Sequence, residues 1–291
     1  MAALRNFQLT PSMSFRQIVH TSLPASGAHF WRPFLRRNLR TISLVMTFAC
    51  LLQSQAHGHF QQILPTTDRF GAASDPLSLS LVFTHPMERG PVMPMSKPLR
   101  FGVTSGGTET DLLDTLAETP VDGQPAWSAA YNPAEPGNYL FFVEPAPYWE
   151  PAEGKSIIHY SKVVVDANDW GDGWADLVGL PVEIEPLVRP YGIWTGNLFS
   201  GVVRRDGTPV PFAEIEVEWV NDGSVTPPGD AFITQVIKAD ANGVFHYGLP
   251  RAGWWGFAAL LEADYQLPDP AGTPQPVELG GLIWVHAVDM N

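Results

Sequence analysis

Short β-forming runs, each closed by turn residues, recur along this chain and limit what it can fold into. They are Leu77–Phe83, Leu99–Val103, Tyr139–Val143, Ile157–Val165, Val182–Ile184, Phe199–Val203, Ile215–Val220, Phe232–Lys238, Gly243–Tyr247, Trp255–Glu262 and Leu282–Val288. Each is rich in branched or aromatic side chains, and several alternate apolar with polar residues, as half-buried strands do. Long apolar patterns of period 3.6 are absent. The 26 Gly and 28 Pro are spread throughout and leave no room for a helix of many turns. Only Asp111–Ala117 has the look of a helical turn. The expected fold class is all-β.

Many short strands separated by turns build β-sandwiches of the immunoglobulin-like or prealbumin-like kind. A boundary is expected near Glu185–Tyr191, dividing an N-terminal sandwich, residues 57–187, from a C-terminal one, residues 188–291. The second half opens with Phe199–Val203, turns at Asp206-Gly207, and continues through Ala213–Val220 to Asp240-Ala241-Asn242-Gly243. Asp-Gly and Asn-Gly tolerate positive φ and favour tight turns. This order is similar to the small carboxypeptidase-regulatory-like sandwich. No internal repeat or low-complexity linker is visible.

Residues 1–56 form a different kind of segment. They hold six arginines and no acidic residue. The apolar run Thr41–Leu52 follows Arg36, Arg37 and Arg40, and Ser54-Gln55-Ala56 places small residues at the −3 and −1 positions. The run is short for a membrane span and fits a signal-peptide core. The expectation is an export signal cleaved after Ala56, with the mature chain in the periplasm. Arg36-Arg37-Asn38-Leu39-Arg40 matches a twin-arginine signal loosely, and it reads equally as an ordinary basic leader. Cys50 lies in the leader, so cleavage leaves no thiol and no disulfide. No later stretch is long and apolar enough to insert stably in a bilayer. Removing the leader takes six of the 17 basic residues and none of the 30 acidic ones, leaving a formal charge of −19. Nucleic acid is not an expected partner of such a surface.

Cleavage at that bond would make His57-Gly58-His59 the new amino terminus. An α-amine, two backbone nitrogens and the imidazole of the third residue can form a square-planar nitrogen site, which suits Ni(II) or Cu(II). His57 adds a further imidazole beside the amine. A second group of donors is His85-Pro86-Met87-Glu88, followed by Met93 and Met95, directly after the strand Leu77–Phe83. Here an imidazole, a carboxylate and thioethers share a proline-pinned loop, and thioethers favour Cu(I). Met93 and Met95 read equally well as core residues. His159 alternates with Ile157, Ser161 and Val163 on one strand face, which fits a hydrogen-bonded strand histidine as well as a ligand. The candidate metal ligands are therefore His57, His59, His85 and Glu88, with Met93, Met95 and His159 behind them. His246 and His286 read as structural or surface strand residues.

Other chemistry finds little support. The acidic run Asp166–Asp176 fails as an EF-hand, because Trp170 occupies its fifth position and Leu177 its twelfth. It reads as a solvated loop. Trp254 and Trp255 read as core aromatics. No phosphate-binding loop, dinucleotide fingerprint or nucleophile elbow occurs, and no catalytic set is singled out. The chain is not expected to be an enzyme.

Five segments together carry a family resemblance: Ala56–Gln61; His85-Pro86-Met87-Glu88 with Pro98; Gly179–Leu187; Asp240–Phe245 running on to Pro250–Leu260; and Glu278–Val285. They resemble the DUF4198 family. The resemblance implies a periplasmic metal-binding component of a nickel or cobalt uptake system, working with an energy-coupling-factor type membrane transporter. It favours Ni(II) over Co(II) and directs attention to His57, His59 and His85. Two other functions stay open. One is copper handling, as a Cu(II) carrier or as a histidine-brace oxidative enzyme built from His57 with His85 or His159. The other is an exported structural protein without metal.

Overall fold

A computed structural model describes residues 58–71, 76–169 and 171–290. The leader 1–56, His57 and Trp170 lie outside the described residues, so the expected cleavage bond does too. The described chain is all-β apart from two single-turn 3-10 helices, Leu113–Thr115 and Asp230–Phe232. The first falls inside the expected helical turn. The second replaces the start of the strand expected at Phe232, so that strand is confined to Gln235–Lys238.

The largest sheet runs through both expected halves. Its central order is Gln235–Lys238, Glu214–Trp219, Gly253–Glu262, Val277–Val288, Lys155–Ala167, Gly137–Glu144, Arg100–Ser105 and Thr108–Asp111. Neighbours on this path are antiparallel except for one pair. Val277–Val288 lies parallel to Lys155–Ala167, with Ser161 opposite Leu282. The final strand of the chain therefore joins the two halves through backbone hydrogen bonds. Val182–Pro186, which the sequence assigns to the first half, pairs with Leu198–Arg205 of the second.

Two smaller sheets cover this large one. The first contains Phe60–Pro65, Leu77–Thr84 and Trp127–Tyr131. It packs on the face that carries Val163, Ala258, Leu282 and Trp284. The second contains Val182–Pro186, Leu198–Arg205 and Val244–Gly248. Its Ile184, Phe199 and Phe245 meet Ile215, Val217, Phe257, Ile283 and Val285, which project from the opposite face. Successive strand side chains point to opposite faces, so Gly253–Glu262 and Val277–Val288 are buried on both. This explains why they read as continuous apolar runs rather than alternating ones. Glycine is needed where layers come closest. A Cβ at Gly256 would stand 2.7 Å from the Trp284 ring and 3.0 Å from Phe60. Trp284 then donates its Nε1–H to the Gln61 carbonyl at 3.0 Å, fixing the first strand across the sheet.

Candidate functional site

The strand Phe60–Pro65 begins where three histidines converge. His59 immediately precedes it, His85 follows Leu77–Thr84, and His159 sits inside Lys155–Ala167. The antiparallel register of the first two strands places Phe60 opposite Thr84, which brings their flanking histidines together. The His59 and His85 rings lie 4.6 Å apart between centroids. Phe83 separates this pair from His159, with ring centroids 5.6 Å from His59 and 5.9 Å from His159. All three histidines are buried.

Each imidazole is oriented through one ring nitrogen. His59 Nε2 lies 3.1 Å from a Glu150 carboxylate oxygen, and His159 Nε2 lies 3.1 Å from Glu278. His85 Nδ1 donates to the Gly58 carbonyl at 2.9 Å. These acceptors select the tautomer, leaving the lone pair of a neutral ring on His59 Nδ1, His85 Nε2 and His159 Nδ1. His159 Nδ1 is buried with no hydrogen-bond partner among the described residues. Carboxylate-oriented imidazoles are the usual support of metal-ligating histidines. Burial holds His59 below the ordinary imidazole range, reinforced by His159 and opposed by Glu150. A neutral ring is the form that can donate to a metal.

A chain of charges links the two flanking histidines. His59 Nδ1 is 3.8 Å from Glu153, and Lys155 Nζ contacts Glu153 at 2.6 Å and Glu278 at 2.5 Å. Glu278 then reaches His159. Burial alone would raise the Glu278 carboxyl, but the hydrogen bonds and charges of His159 and Lys155 outweigh it and hold it at about 2. The His159 ring packs closely against the neighbouring strand at residue 280, where glycine leaves room for it. A Cβ there would stand 2.3 Å from His159 Cδ2.

The remaining sequence candidates are distributed as follows. Met93 and Met95 are buried in the core beneath the first sheet. Met95 also accepts a hydrogen bond from Gln61 Nε2 at 3.4 Å. With His159, Phe83, Tyr148 and Trp149, it lines a cavity of about 250 Å³. Glu88 is exposed and borders a separate cleft with Arg89 and Asn221, while its neighbour Met87 packs into the other core. His57 falls outside the described residues. Among the described residues, no group of three or more His, Cys, Asp or Glu is placed to hold a metal ion. His246 bonds Ser200 at 2.6 Å and His286 stacks on Trp254 at 4.9 Å, roles internal to the sheets. Trp255 packs in the core, and Asp169 pairs with Arg69 at the surface.

Sequence reasoning missed the carboxylates of this region, Glu150, Glu153, Glu278, Glu216 and Glu218. Glu150 and Glu278 lie 91 and 119 residues from the histidines they orient, so no local spacing reveals them. For Glu216 and Glu218 the signal is the alternation Glu214-Ile215-Glu216-Val217-Glu218, which marks a two-faced strand without showing that its polar face is covered.

The family model described as "Domain of unknown function (DUF4198)" matches residues 56–263. The chain belongs to the DUF4198 family. No curated protein matches this DUF4198 chain. Among solved structures, it is similar to a two fibronectin type-III domain segment from chicken tenascin, at 13% identity over 77% of this chain and 98% of that one, with a TM-score of 0.21. It is also similar to the D00–D0 domain of intimin, at 11% identity over 79% and 100%, TM-score 0.19. A third is titin Ig tandem domains A164–A165, at 10% identity over 80% and 97%, TM-score 0.19. TM-scores this low carry no argument, and the all-β sandwich assignment rests on the strands themselves. Among the described residues, no helix is long and apolar enough to cross a membrane.

Proposed function

We propose that this DUF4198 protein is an exported metal-binding protein, not an enzyme, that captures Ni(II), or Co(II), and passes it to a membrane uptake transporter in the periplasm. The single observation that carries this reading is the His59–His85 pair, with rings 4.6 Å apart, at the first described residues of the chain. His85 also holds the Gly58 carbonyl, so the donors and the segment that becomes the mature terminus are tied together. Cleavage after Ala56 would add an α-amine, the His57 imidazole and deprotonatable backbone nitrogens to two oriented imidazoles. Nitrogen donors of this number suit Ni(II). Because the described side chains alone do not make a complete site, capture depends on that processed terminus. Glu88, exposed in a separate cleft, has no part in it.

Calorimetric titration of Ni(II) into secreted protein beginning at His57 tests this. A form with one extra residue before His57, and His85→Ala, are each expected to bind at least about tenfold more weakly, a change of roughly 1.4 kcal/mol. Equal affinity in all three would refute it.

One observation favours copper as a second reading. Met95 and His159 line the same cavity, and a thioether beside an imidazole suits Cu(I). Copper found in protein purified from its own periplasm, in place of nickel or cobalt, would decide for it.

A further inference from the structure

Glu216 is a buried carboxylate that makes no ion pair among the described residues. Strand register explains where it points. Glu216 lies opposite Ala258, Ala258 opposite Leu282, and Leu282 opposite Ser161. Side chains in such a row share a face, so Glu214, Glu216 and Glu218 project from the same face as Leu282 and Trp284. That face is covered by the first strand, so Glu216 is 8% exposed and Glu218 only 1%.

The two acids differ in their partners. Glu218 accepts the Thr234 hydroxyl at 2.6 Å and the Met87 N–H at 2.9 Å. Glu216 makes none of the hydrogen bonds or ion pairs found among the described residues. Burial pushes it up to about 8, helped by the negative charges of Glu278, Glu218 and Glu214. An isolated buried charge costs several kcal/mol unless a partner or a proton neutralises it. Lys155, whose positive charge opposes this shift, is already held by Glu153 and Glu278.

Glu216 is aimed at the first described residues of the chain. Its Oε2 lies 2.7 Å from where a Gly58 Cβ would stand, with Phe60 Cε2 at 2.9 Å, so a larger residue there would displace these side chains. Gly58 is held from two further sides. Its N–H donates to Thr234 Oγ1 at 3.3 Å, and its carbonyl accepts from His85. One residue spans at most about 3.6 Å of chain. If the chain begins at residue 57, its α-amine therefore lies within that distance of the Gly58 nitrogen, whatever conformation residue 57 adopts.

We propose that Glu216, backed by Glu218 and Thr234, forms an anionic socket whose ligand is a primary ammonium, the mature chain's own amino terminus. This rests on cleavage between Ala56 and His57. In the precursor the nitrogen of residue 57 is a neutral amide and offers the socket no charge. After cleavage it faces a positive charge, and the terminus is pinned beside His59 and His85. Glu216 is then a positioning residue for the terminus.

The test is a two-by-two comparison of secreted protein, metal-free in EDTA at pH 7. One pair begins at His57 and the other carries one extra residue before it. Each pair is made with and without Glu216→Gln, and all four first residues are checked by intact mass. With the His57 terminus, Glu216→Gln is expected to lower Tm by about 3 °C or more. With the extended terminus no ammonium stands beside Glu216 and burial favours its protonated form at pH 7, so glutamine replaces a neutral group and Tm is unchanged. A shift of the same sign and size in both would overturn the socket. Without any substitution, the His57 form is expected to melt above the extended form, and equal Tm values would also overturn it. A secreted mass beginning at a different residue would instead refute the cleavage reading, before any Glu216 result is considered.

Discussion

Lys162 and Glu183 offer a sharp test of how the two halves are held together. Lys162 is 0% exposed and Glu183 is 3% exposed, and Lys162 Nζ meets Glu183 Oε1 at 2.5 Å. Lys162 belongs to the large sheet and Glu183 to the Val182–Pro186 strand of a smaller one. Glu183 also accepts the backbone N–H groups of Val178, Gly179 and Leu180 at 2.9, 3.0 and 3.2 Å. The two partners are therefore unequal. Lys162→Met leaves a buried carboxylate that keeps three N–H donors, at a cost of about 3 kcal/mol, the low end for breaking a buried pair. Glu183→Leu strands a buried ammonium, at about 3–5 kcal/mol. It also orphans the N–H of Leu180, the one buried residue of the three, at about 1–3 kcal/mol more. The Lys162→Met/Glu183→Leu double variant leaves no unpaired charge and retains mainly the backbone cost. It is expected to be more stable than Glu183→Leu alone. Urea unfolding of the four proteins, with midpoints compared at a common slope, measures the order. Additive costs in the double variant, or single costs below about 1 kcal/mol, would refute the reasoning.

Two further outcomes follow from the site. Gly280→Ala drives a Cβ to 2.3 Å from His159 Cδ2 and displaces the ring from Glu278. Overpacking and the lost bond outweigh the roughly 0.5–1 kcal/mol that alanine returns in a strand, for a net loss of about 2–4 kcal/mol; an unchanged thermal midpoint would contradict the placement of His159. Glu278 is held down at about 2, below its unfolded value of 4.5, so its contribution to stability is fully present above about pH 4.5 and is lost as pH falls toward 2. Glu278→Gln in metal-free protein is expected to flatten the loss of stability between pH 4.5 and 2, and an unaltered pH profile would count against the Lys155–Glu278–His159 network.

Much of the fold was legible locally. Ten of the eleven strand runs read from sequence lie on strands, and the eleventh, at Phe232, loses its start to a turn. Phe60–Pro65 was missed, because Phe-Gln-Gln-Ile-Leu-Pro carries little β pattern and is held by Trp284 from 223 residues away. His59, His85 and His159 were visible as donor side chains, and their burial around Phe83 was not. Glu150 and Glu278 had no local signal. The Glu214–Glu218 alternation marks a strand with two faces and does not report what covers each.

The residues themselves specify an all-β chain, since turn-bounded β runs leave no other way to pair the backbone. They also specify an acidic stretch after residue 56, with histidine side chains among its first residues. The tertiary structure alone decides that the last strand docks beside Lys155–Ala167 and makes one sheet common to both halves. It alone lays the first strand over an acidic face, turning Glu216 from an apparent surface residue into a buried one beside Gly58. Register and layer contacts join residues as far as 91 and 223 positions apart, and propensity and periodicity act over only a few.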